Sequence, residues 1–372
     1  MLPRRLSSLR LATIGLALTA ALLLAPCLPA SAASNSVPTF RAPASIDATG
    51  TQDVTAALVA FIRGVPDGSL ITFPANARYR IENIVWLDGR HDLTIDGNGA
   101  VFFASTDGSG VPPTGPAAVK LQWPRHRDQW LITGGSNITL RNLTVRGANP
   151  AAGVGDGAYV EALEAQTGVE FLGTTTGSLE SCTITDPYGD MVYIGGDATN
   201  IAVRGCTLSR SGRQAVTVSD ARNITIDANR ISSIRRTAID LETYTASWSV
   251  NNVWVVNNTF GPTRGDVVAA KGQGDVSVVV VAYNRLSNQA LTVRSTPPST
   301  LSPRRHDWHV IGNTSDTPIG NPHGFVWITN TDVVRVRDNY QPLQKGRTPA
   351  QITVLSTGSK DVVVANNTCP MT

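Results

Sequence analysis

Short runs of alternating apolar and polar residues recur along most of this 372-residue chain. The clearest are Met191-Val-Tyr-Ile, Ala215-Val-Thr-Val and Ala238-Ile-Asp-Leu, each after a polar turn. The segments before those turns also correspond, at steps of 206 − 182 = 24 and 229 − 206 = 23 residues: Cys182-Thr-Ile-Thr, Cys206-Thr-Leu-Ser and Asn229-Arg-Ile-Ser. Alternation of this kind predicts half-buried β-strands. A period in the low twenties predicts a solenoid, whose units bury their apolar faces by stacking.

A second repeat extends this pattern over most of the chain. It consists of a polar residue, an alternating apolar run and then Asn six positions on, as in Asn223-Ile-Thr-Ile-Asp-Ala-Asn229. We therefore predict about ten coils, which start at 92, 137, 176, 200, 223, 252, 275, 307, 332 and 361. Asn residues on successive strands, about 4.8 Å apart, can link their side-chain amides into a ladder. Asn also tolerates the left-handed backbone of sharp turns.

The two ends of the chain differ from the repeats. Residues 1–32 combine arginines, an apolar run and a small-residue cleavage site, which predicts a secretory signal peptide. Residues 33–45 are predicted to be a linker, and residues 46–372 a single domain. Val54, Leu58, Phe61 and Ile62 have helical spacing and predict an amphipathic helix that caps the solenoid. We expect a secreted, soluble monomer, because no other apolar run is long enough to span a membrane.

Charge and cysteine content narrow the possible partners. The net charge is +3, too small to suggest nucleic-acid binding. No cysteine has metal-type spacing, so we expect no metal site and no cofactor. Cys182 and Cys206 take the place of Asn on two neighbouring coils, so they are either a disulfide or two buried free thiols.

Three N-terminal segments resemble a known superfamily: Ile46-Asp-Ala-Thr-Gly-Thr-Gln-Asp-Val-Thr-Ala-Ala-Leu58, Gly68-Ser-Leu-Ile-Thr-Phe-Pro74 and Leu93-Thr-Ile-Asp-Gly-Asn-Gly-Ala100. They are similar to the first coils of the pectate-lyase- and polygalacturonase-like proteins. The resemblance implies an all-β, right-handed parallel β-helix that acts on polysaccharides, often polymers of uronic acid, as a hydrolase, lyase or epimerase. Thr185-Asp186-Pro-Tyr-Gly-Asp190 distantly resembles the Asn-Thr-Asp turn of polygalacturonases. Their Asp-Asp turn is replaced here by Ser211-Gly-Arg213-Gln214, a departure from ordinary polygalacturonase chemistry.

Alternation in the second strand of each coil predicts which side chains point outward. One outward column contains Glu170, Tyr193, Thr217, Asp240, Ala269, Thr292 and Trp327. A column two residues further on contains Ser219, Glu242, Lys271 and Arg294. Two columns just before the strands contain Gly189, Arg213 and Arg236, and then Asp190, Gln214 and Thr237.

Carboxylates on this face are the candidate catalysts. Asp240 and Glu242 lie about 6.6 Å apart along one strand, within the range that glycoside hydrolysis uses. Lys271, on the next coil, is expected to form an ion pair with Glu242, whereas Asp240 has no cation in its own column. Asp186 and Asp190 form an alternative carboxylate pair.

Cations and aromatic side chains on the same face are the candidate substrate ligands. Arg213 and Arg236 are expected one coil apart and need an anion between them, either Asp190 or a substrate carboxylate. The other candidate ligands are Gln214, Tyr188, Tyr193, Lys271 and Arg294. Insertions at 99–136 and 144–167 are expected to wall one end of the groove, and His126 in the first is expected at the surface.

The sequence favours a secreted enzyme that hydrolyses a polysaccharide, with Asp190, Asp240 and Glu242 as the reacting carboxylates. A lyase or epimerase would instead use Arg213 or Lys271 as the base in β-elimination, with Ca²⁺ held by the acids. A third hypothesis is a β-helix protein that binds carbohydrate without cleaving it.

Overall fold

The structure is a computed structural model that describes residues 36–108, 126–319, 324–346 and 354–371. Residues 37–372 belong to one compact unit. The predicted signal peptide lies outside the described residues. The predicted linker is wrong in its second half, because Thr39–Arg41 forms a strand that pairs with Leu70–Thr72.

The strands form three stacks in which neighbours pair in parallel. Stack 1 contains Thr39–Arg41, Leu70–Thr72, His91–Asp96, Ser136–Arg141, Thr175–Glu180, the second halves of Val192–Arg204 and Val216–Asp227, Ser249–Val256, Asp275–Ala282, Arg305–Ile311, Thr331–Arg337 and Lys360–Ala365. Its last ten strands correspond to the ten predicted coils, and two more precede them.

Stack 2 carries the candidate site. It contains Val85–Asp88, Trp130–Thr133, Val169–Leu172, the first halves of Val192–Arg204 and Val216–Asp227, Ile239–Thr243, Val268–Gly272, Val293–Ser295, Val326–Ile328 and Val354–Leu355.

Stack 3 closes each coil with a short strand. It contains Thr49–Asp53, Arg78–Arg80, Val101–Phe103, Thr144–Arg146, Thr183–Thr185, Thr207–Ser209, Arg230–Ser232, Thr259–Phe260, Arg285–Leu286 and Thr314–Ser315. The inward side chains of all three stacks form one continuous apolar core. The alternation of the sequence therefore has a direct cause, since inward residues such as Val216 and Leu241 are fully buried.

The predicted capping helix is present as Thr55–Gly64. Its buried Leu58 and Ile62 join the core at the N-terminal end. Arg90 donates hydrogen bonds to the carbonyl oxygens of Ile62 and Val65, which satisfies acceptors at the helix C-terminus. Two 3₁₀ helices, Asp156–Ala158 and Glu161–Leu163, lie in the second insertion. None of the helices in the described ranges is long and apolar enough to cross a membrane.

The Asn ladder is confirmed, with one correction. Each side-chain amide from Asn229 to Asn339 donates to the side-chain oxygen of the next Asn at 2.9–3.0 Å: Asn229, Asn258, Asn284, Asn313, Asn339 and Asn367. The left-handed backbone is not at these Asn residues. It falls on the residue before, as at Asn257 and Tyr283. The buried Asn side chains thus serve as hydrogen-bonding groups rather than as turn formers.

Cys182 and Cys206 extend the ladder as free, buried thiols, so the disulfide that the sequence allowed is not formed. The Cys206 amide donates to the side-chain oxygen of Asn229 at 2.8 Å, and the Cys182 amide donates to Cys206 Sγ at 3.4 Å. Each thiol also donates to a backbone carbonyl oxygen, on Glu180 and Arg204 respectively. Sulfur therefore replaces the Asn oxygen as acceptor, without a covalent bond.

Candidate functional site

The register of stack 2 aligns one outward column along the solenoid. Strand pairing places Glu170, Tyr193, Thr217, Asp240, Ala269, Arg294 and Trp327 opposite one another in turn. The prediction that Thr292 lies in this column is wrong. Arg294 occupies that place, instead of the predicted place in the column of Glu242 and Lys271. Thr292 lies in the turn before its strand, where its hydroxyl accepts a hydrogen bond from the Val267 amide at 2.9 Å. This turn shifts the register by two residues.

Arg213 lies at the centre of a cluster of acids on this face. Its guanidinium contacts Asp190 at 2.8 Å, Glu242 at 3.3 Å and Glu164 at 3.5 Å, and the residue is only 9% exposed. Although burial opposes the charged form, the carboxylates of Asp190 and Glu242 raise the pKa of Arg213. Arg213 is therefore a fixed cation that holds three acids together.

Asp190 is fully engaged by its neighbours. One carboxylate oxygen accepts hydrogen bonds from Arg213 and, at 2.7 Å, from the Thr217 hydroxyl. The other accepts a hydrogen bond from the backbone N–H of Gln214 at 3.0 Å. Asp190 is thus the anion that the sequence required beside Arg213. Arg236 does not share it, because its guanidinium stacks on the Tyr159 ring at 4.1 Å from the centroid.

Asp240 is only 1% exposed, and its two carboxylate oxygens have different surroundings. Oδ2 accepts a hydrogen bond from Gln214 Nε2 at 2.9 Å and lies 3.8 Å from Lys271 Nζ. Oδ1 is buried without a hydrogen-bond partner. Burial raises the pKa of Asp240, against the opposing effect of the Lys271 charge. The neighbours of Asp240 in its own column are Thr217 and Ala269, as expected, but the Lys271 side chain crosses from the other column to reach it.

Glu242 is the more accessible acid, with 16% of its side chain exposed. Its Oε2 accepts hydrogen bonds from Arg213 and, at 3.0 Å, from the Tyr244 hydroxyl. Burial, and next the proximity of Asp240, raise the pKa of Glu242. The expected ion pair with Lys271 is replaced by the pair with Arg213. Lys271 and Tyr244, 52% and 45% exposed, stand at the solvent side of the cluster.

The second insertion covers one side of this cluster, as expected. Glu164 reaches Arg213, and Tyr159 donates a hydrogen bond to Glu164 at 2.6 Å. Gly189 permits this approach, because a Cβ at that position would lie 2.2 Å from the backbone oxygen of Glu164. Glu164 and Tyr159 were not predicted as site residues, because sequence periodicity does not show where a loop folds back.

The remaining candidates lie at the edges of the site or outside it. Asp186 forms an exposed ion pair with Arg210 at 2.7 Å. Tyr188 and Arg127 line a separate small pocket. Burial raises the pKa of Tyr193, which is half-buried next to Glu170 in the column. Arg294 stacks on Trp327 at 4.8 Å and pairs with Asp266 at 3.3 Å.

A second buried cluster contains His126, Asp128 and Glu170. The expectation that His126 lies at the surface is wrong, since it is 8% exposed. It forms a short contact with Asp128 and lies 3.5 Å from Glu170. Although burial favours the neutral ring, Asp128 raises the pKa of His126 to about 11. The sequence contained one signal for this cluster: His126 and Asp128 are two residues apart, as side chains on one face of an extended segment would be, and Glu170 was already placed in the outward column.

Comparison with known proteins agrees with this architecture. A family model described as a right handed beta helix region matches residues 131–296. No curated protein matches the chain in sequence.

Solved structures with a similar fold differ in what they do. DFA-IIIase from Arthrobacter chlorophenolicus A6, without its lid and in complex with GF2, is 15% identical, with 90% of each chain covered and a TM-score of 0.58. PfbA, a surface adhesin of Streptococcus pneumoniae, is 12% identical, with 87% of this chain and 88% of that chain covered and a TM-score of 0.53. An alginate lyase from Paenibacillus sp. str. FPU-7 is 13% identical, with coverages of 90% and 98% and a TM-score of 0.52.

At these identities the structural matches establish the fold alone. Together with the three parallel stacks they confirm the architecture that the resemblance implied. The chain therefore has the fold of a right-handed parallel β-helix.

Proposed function

We propose that this protein is an enzyme that hydrolyses an acidic polysaccharide, with Asp240 as general acid and Glu242 as the second carboxylate. The observation that carries the proposal is the contrast between the two acids on one strand face. Asp240 is buried with an unpartnered oxygen, whereas Glu242 is partly exposed and accepts hydrogen bonds from Arg213 and Tyr244. Glycoside hydrolysis requires one protonated and one ionised carboxyl group.

The environments of the two acids decide which one carries the proton. Two neighbouring buried carboxylates repel each other, so one of them holds a proton at a higher pH than an isolated acid does. A proton on Asp240 Oδ1 displaces no existing hydrogen bond, whereas the two donors at Glu242 Oε2 favour its charged form. Asp240 then protonates the leaving glycosidic oxygen, and Glu242 acts on water or on the anomeric carbon. Asp190, whose two oxygens are both occupied, positions Arg213 and Gln214.

The cations favour a uronic-acid substrate. When Asp240 is protonated, the exposed ammonium group of Lys271 loses its anionic neighbour and is free to bind a carboxylate. Arg236 is also exposed, one coil from Arg213. Tyr244, packed edge-on against Trp248 at 5.5 Å, supplies an aromatic surface for a sugar ring.

A lyase or epimerase is the second candidate, favoured by two exposed groups that contact the acids: Lys271 next to Asp240 and Tyr244 next to Glu242. Either group can take the proton next to a uronate carboxyl group. The acids do not fit a bridging Ca²⁺ ion, because Arg213 already bridges Asp190 and Glu242. We therefore propose this alternative without calcium. Carbohydrate binding without cleavage is the third candidate.

A substrate panel with product masses tests these alternatives. Polygalacturonate and alginate are the acidic polymers, and a neutral glucan is the control. Hydrolysis adds one water to the summed mass of the products for each bond cleaved, whereas elimination adds none and gives unsaturated products that absorb in the ultraviolet. Binding of an acidic oligosaccharide with no product of either kind would select the non-catalytic hypothesis.

We also propose that residues 1–32 direct export and are removed, and that the mature protein is a monomer. The N-terminal sequence of the protein recovered outside the producing cells tests the first statement. Light scattering during size-exclusion chromatography tests the second.

A further inference from the structure

Within the part of the chain that the structure describes, one group of side chains apart from the acid cluster around Arg213 has the composition of a metal site. His126, Asp128 and Glu170 each offer one potential ligand atom, and these atoms lie within 4.8 Å of one another. The three residues are 8%, 0% and 6% exposed. His126 and Asp128 lie in the first insertion, whereas Glu170 lies on a stack 2 strand, so the fold brings together two distant segments of the chain.

The hydrogen bonding of the cluster is incomplete. Asp128 Oδ1 is fully buried and has no hydrogen-bond partner, although Oδ2 of the same carboxylate contacts His126 Nε2. A carboxylate oxygen left unpaired in a protein interior is destabilising, because it has lost its hydration without gaining a partner. Among the described residues, His126 is also the one cation paired with Asp128 and Glu170 in this cluster. A divalent cation would supply the missing partner and balance the second carboxylate.

We propose that His126, Asp128 and Glu170 bind one Zn²⁺ ion. One imidazole nitrogen and two carboxylate oxygens suit zinc, and three protein ligands leave a fourth position for water. Ligands about 2.0–2.1 Å from a tetrahedral ion lie about 3.4 Å from each other. His126 Nε2 and Glu170 Oε2 are already 3.5 Å apart. Asp128 Oδ2 contacts the His126 ring more closely than this and would move away from it when the ion binds.

The ion would tie the end of the first insertion to the solenoid. Asp128 and His126 precede the strand Trp130–Thr133, and Glu170 belongs to Val169–Leu172, which pairs with that strand. A metal bridge across these neighbouring strands would fix the segment that adjoins Tyr193 in the outward column. This proposal does not depend on hydrolytic activity.

Zinc titration of the chelator-treated protein tests the proposal. We expect one equivalent of Zn²⁺ to bind with a Kd below about 1 µM, as three buried ligands would allow. Glu170→Gln and Asp128→Asn are expected to weaken binding by about 100-fold or more. Glu170→Gln keeps the size of the side chain, so circular dichroism in the absence of metal should match that of the native protein.

His91→Gln is the matched control, because His91 also lies between two carboxylates. They contact opposite ring nitrogens, at 3.1 Å for Asp67 and 3.0 Å for Asp92, so they cannot share one ion with the ring. Zinc should raise the thermal midpoint of the native protein and of His91→Gln, and not that of Glu170→Gln. The proposal is overturned if the native protein binds no zinc, or if Glu170→Gln and Asp128→Asn both bind it with native affinity.

Discussion

Replacement of Asp240 by Asn removes the proposed proton donor while leaving its shape in place. Asn cannot protonate a leaving oxygen. General acid catalysis contributes about 10²–10⁴-fold to a rate. At about 1.4 kcal/mol per factor of ten, this corresponds to about 3–5 kcal/mol of transition-state stabilisation. We therefore expect kcat on the best substrate to fall by at least about 100-fold.

The same substitution should have little effect on folding. The hydrogen bond from Gln214 Nε2, at 2.9 Å, can be kept by the Asn side-chain oxygen. The amide group then occupies the position of Oδ1, which has no partner in the native protein. The interaction with Lys271 is lost, but half of that side chain is exposed to water. The free energy of unfolding should change by no more than about 1 kcal/mol.

The assay compares turnover of the most active polymer with the midpoint of urea unfolding. Asp96→Asn is the matched control, because Asp96 forms a 2.9 Å pair with Arg141 on stack 1, outside the acid cluster. It should keep full activity. Native turnover in Asp240→Asn would refute the assignment of the acid, whereas a large loss of stability would show that Asp240 has a structural role.

The remaining predictions concern pH, substrate binding and the ladder. Hydrolysis needs Asp240 protonated. Because burial raises the pKa of Asp240, kcat/KM should decline on the alkaline side at a higher pH than an ordinary aspartic acid would give. A rate that only rises with pH would favour the lyase. Lys271→Gln should raise KM for an acidic oligosaccharide by about 10-fold, since one charge-assisted contact is lost, with no change for a neutral one. Asn284→Ala removes four hydrogen bonds, which at about 1 kcal/mol each should lower the free energy of unfolding by about 4 kcal/mol in urea titrations. Asn252 is half-buried and lies outside the ladder, where its side-chain amide donates a solvent-exposed hydrogen bond to Asn223. Asn252→Ala should cost less than about 1 kcal/mol, and equal effects of the two substitutions would show that burial of the ladder is unimportant.

The fold could be predicted from the sequence because each coil repeats the same local rule. Alternation selects one face of every strand for the core, and the Asn column marks the register from one coil to the next. These signals located ten strands of stack 1, the capping helix and the outward positions of Asp240 and Glu242. They also identified the buried ladder, including the two cysteines that continue it. The register failed at Thr292 and Arg294, where the turn before the strand takes up extra residues. It also failed at the coil starts 275 and 332, which strand pairing shifts to 278 and 333.

The pairing of charges was decided by the tertiary structure. Strand register alone suggested an ion pair between Lys271 and Glu242. Because long side chains cross between columns, Lys271 instead lies next to Asp240, and Arg213 forms the ion pair with Glu242. The second insertion adds Glu164, whose position depends on loop packing. Burial raises the pKa of Asp240, and the residues in contact with it, such as Gln214, come from other coils. Periodicity fixes where a backbone runs, whereas the partners of a charged side chain depend on contacts between separate coils and loops.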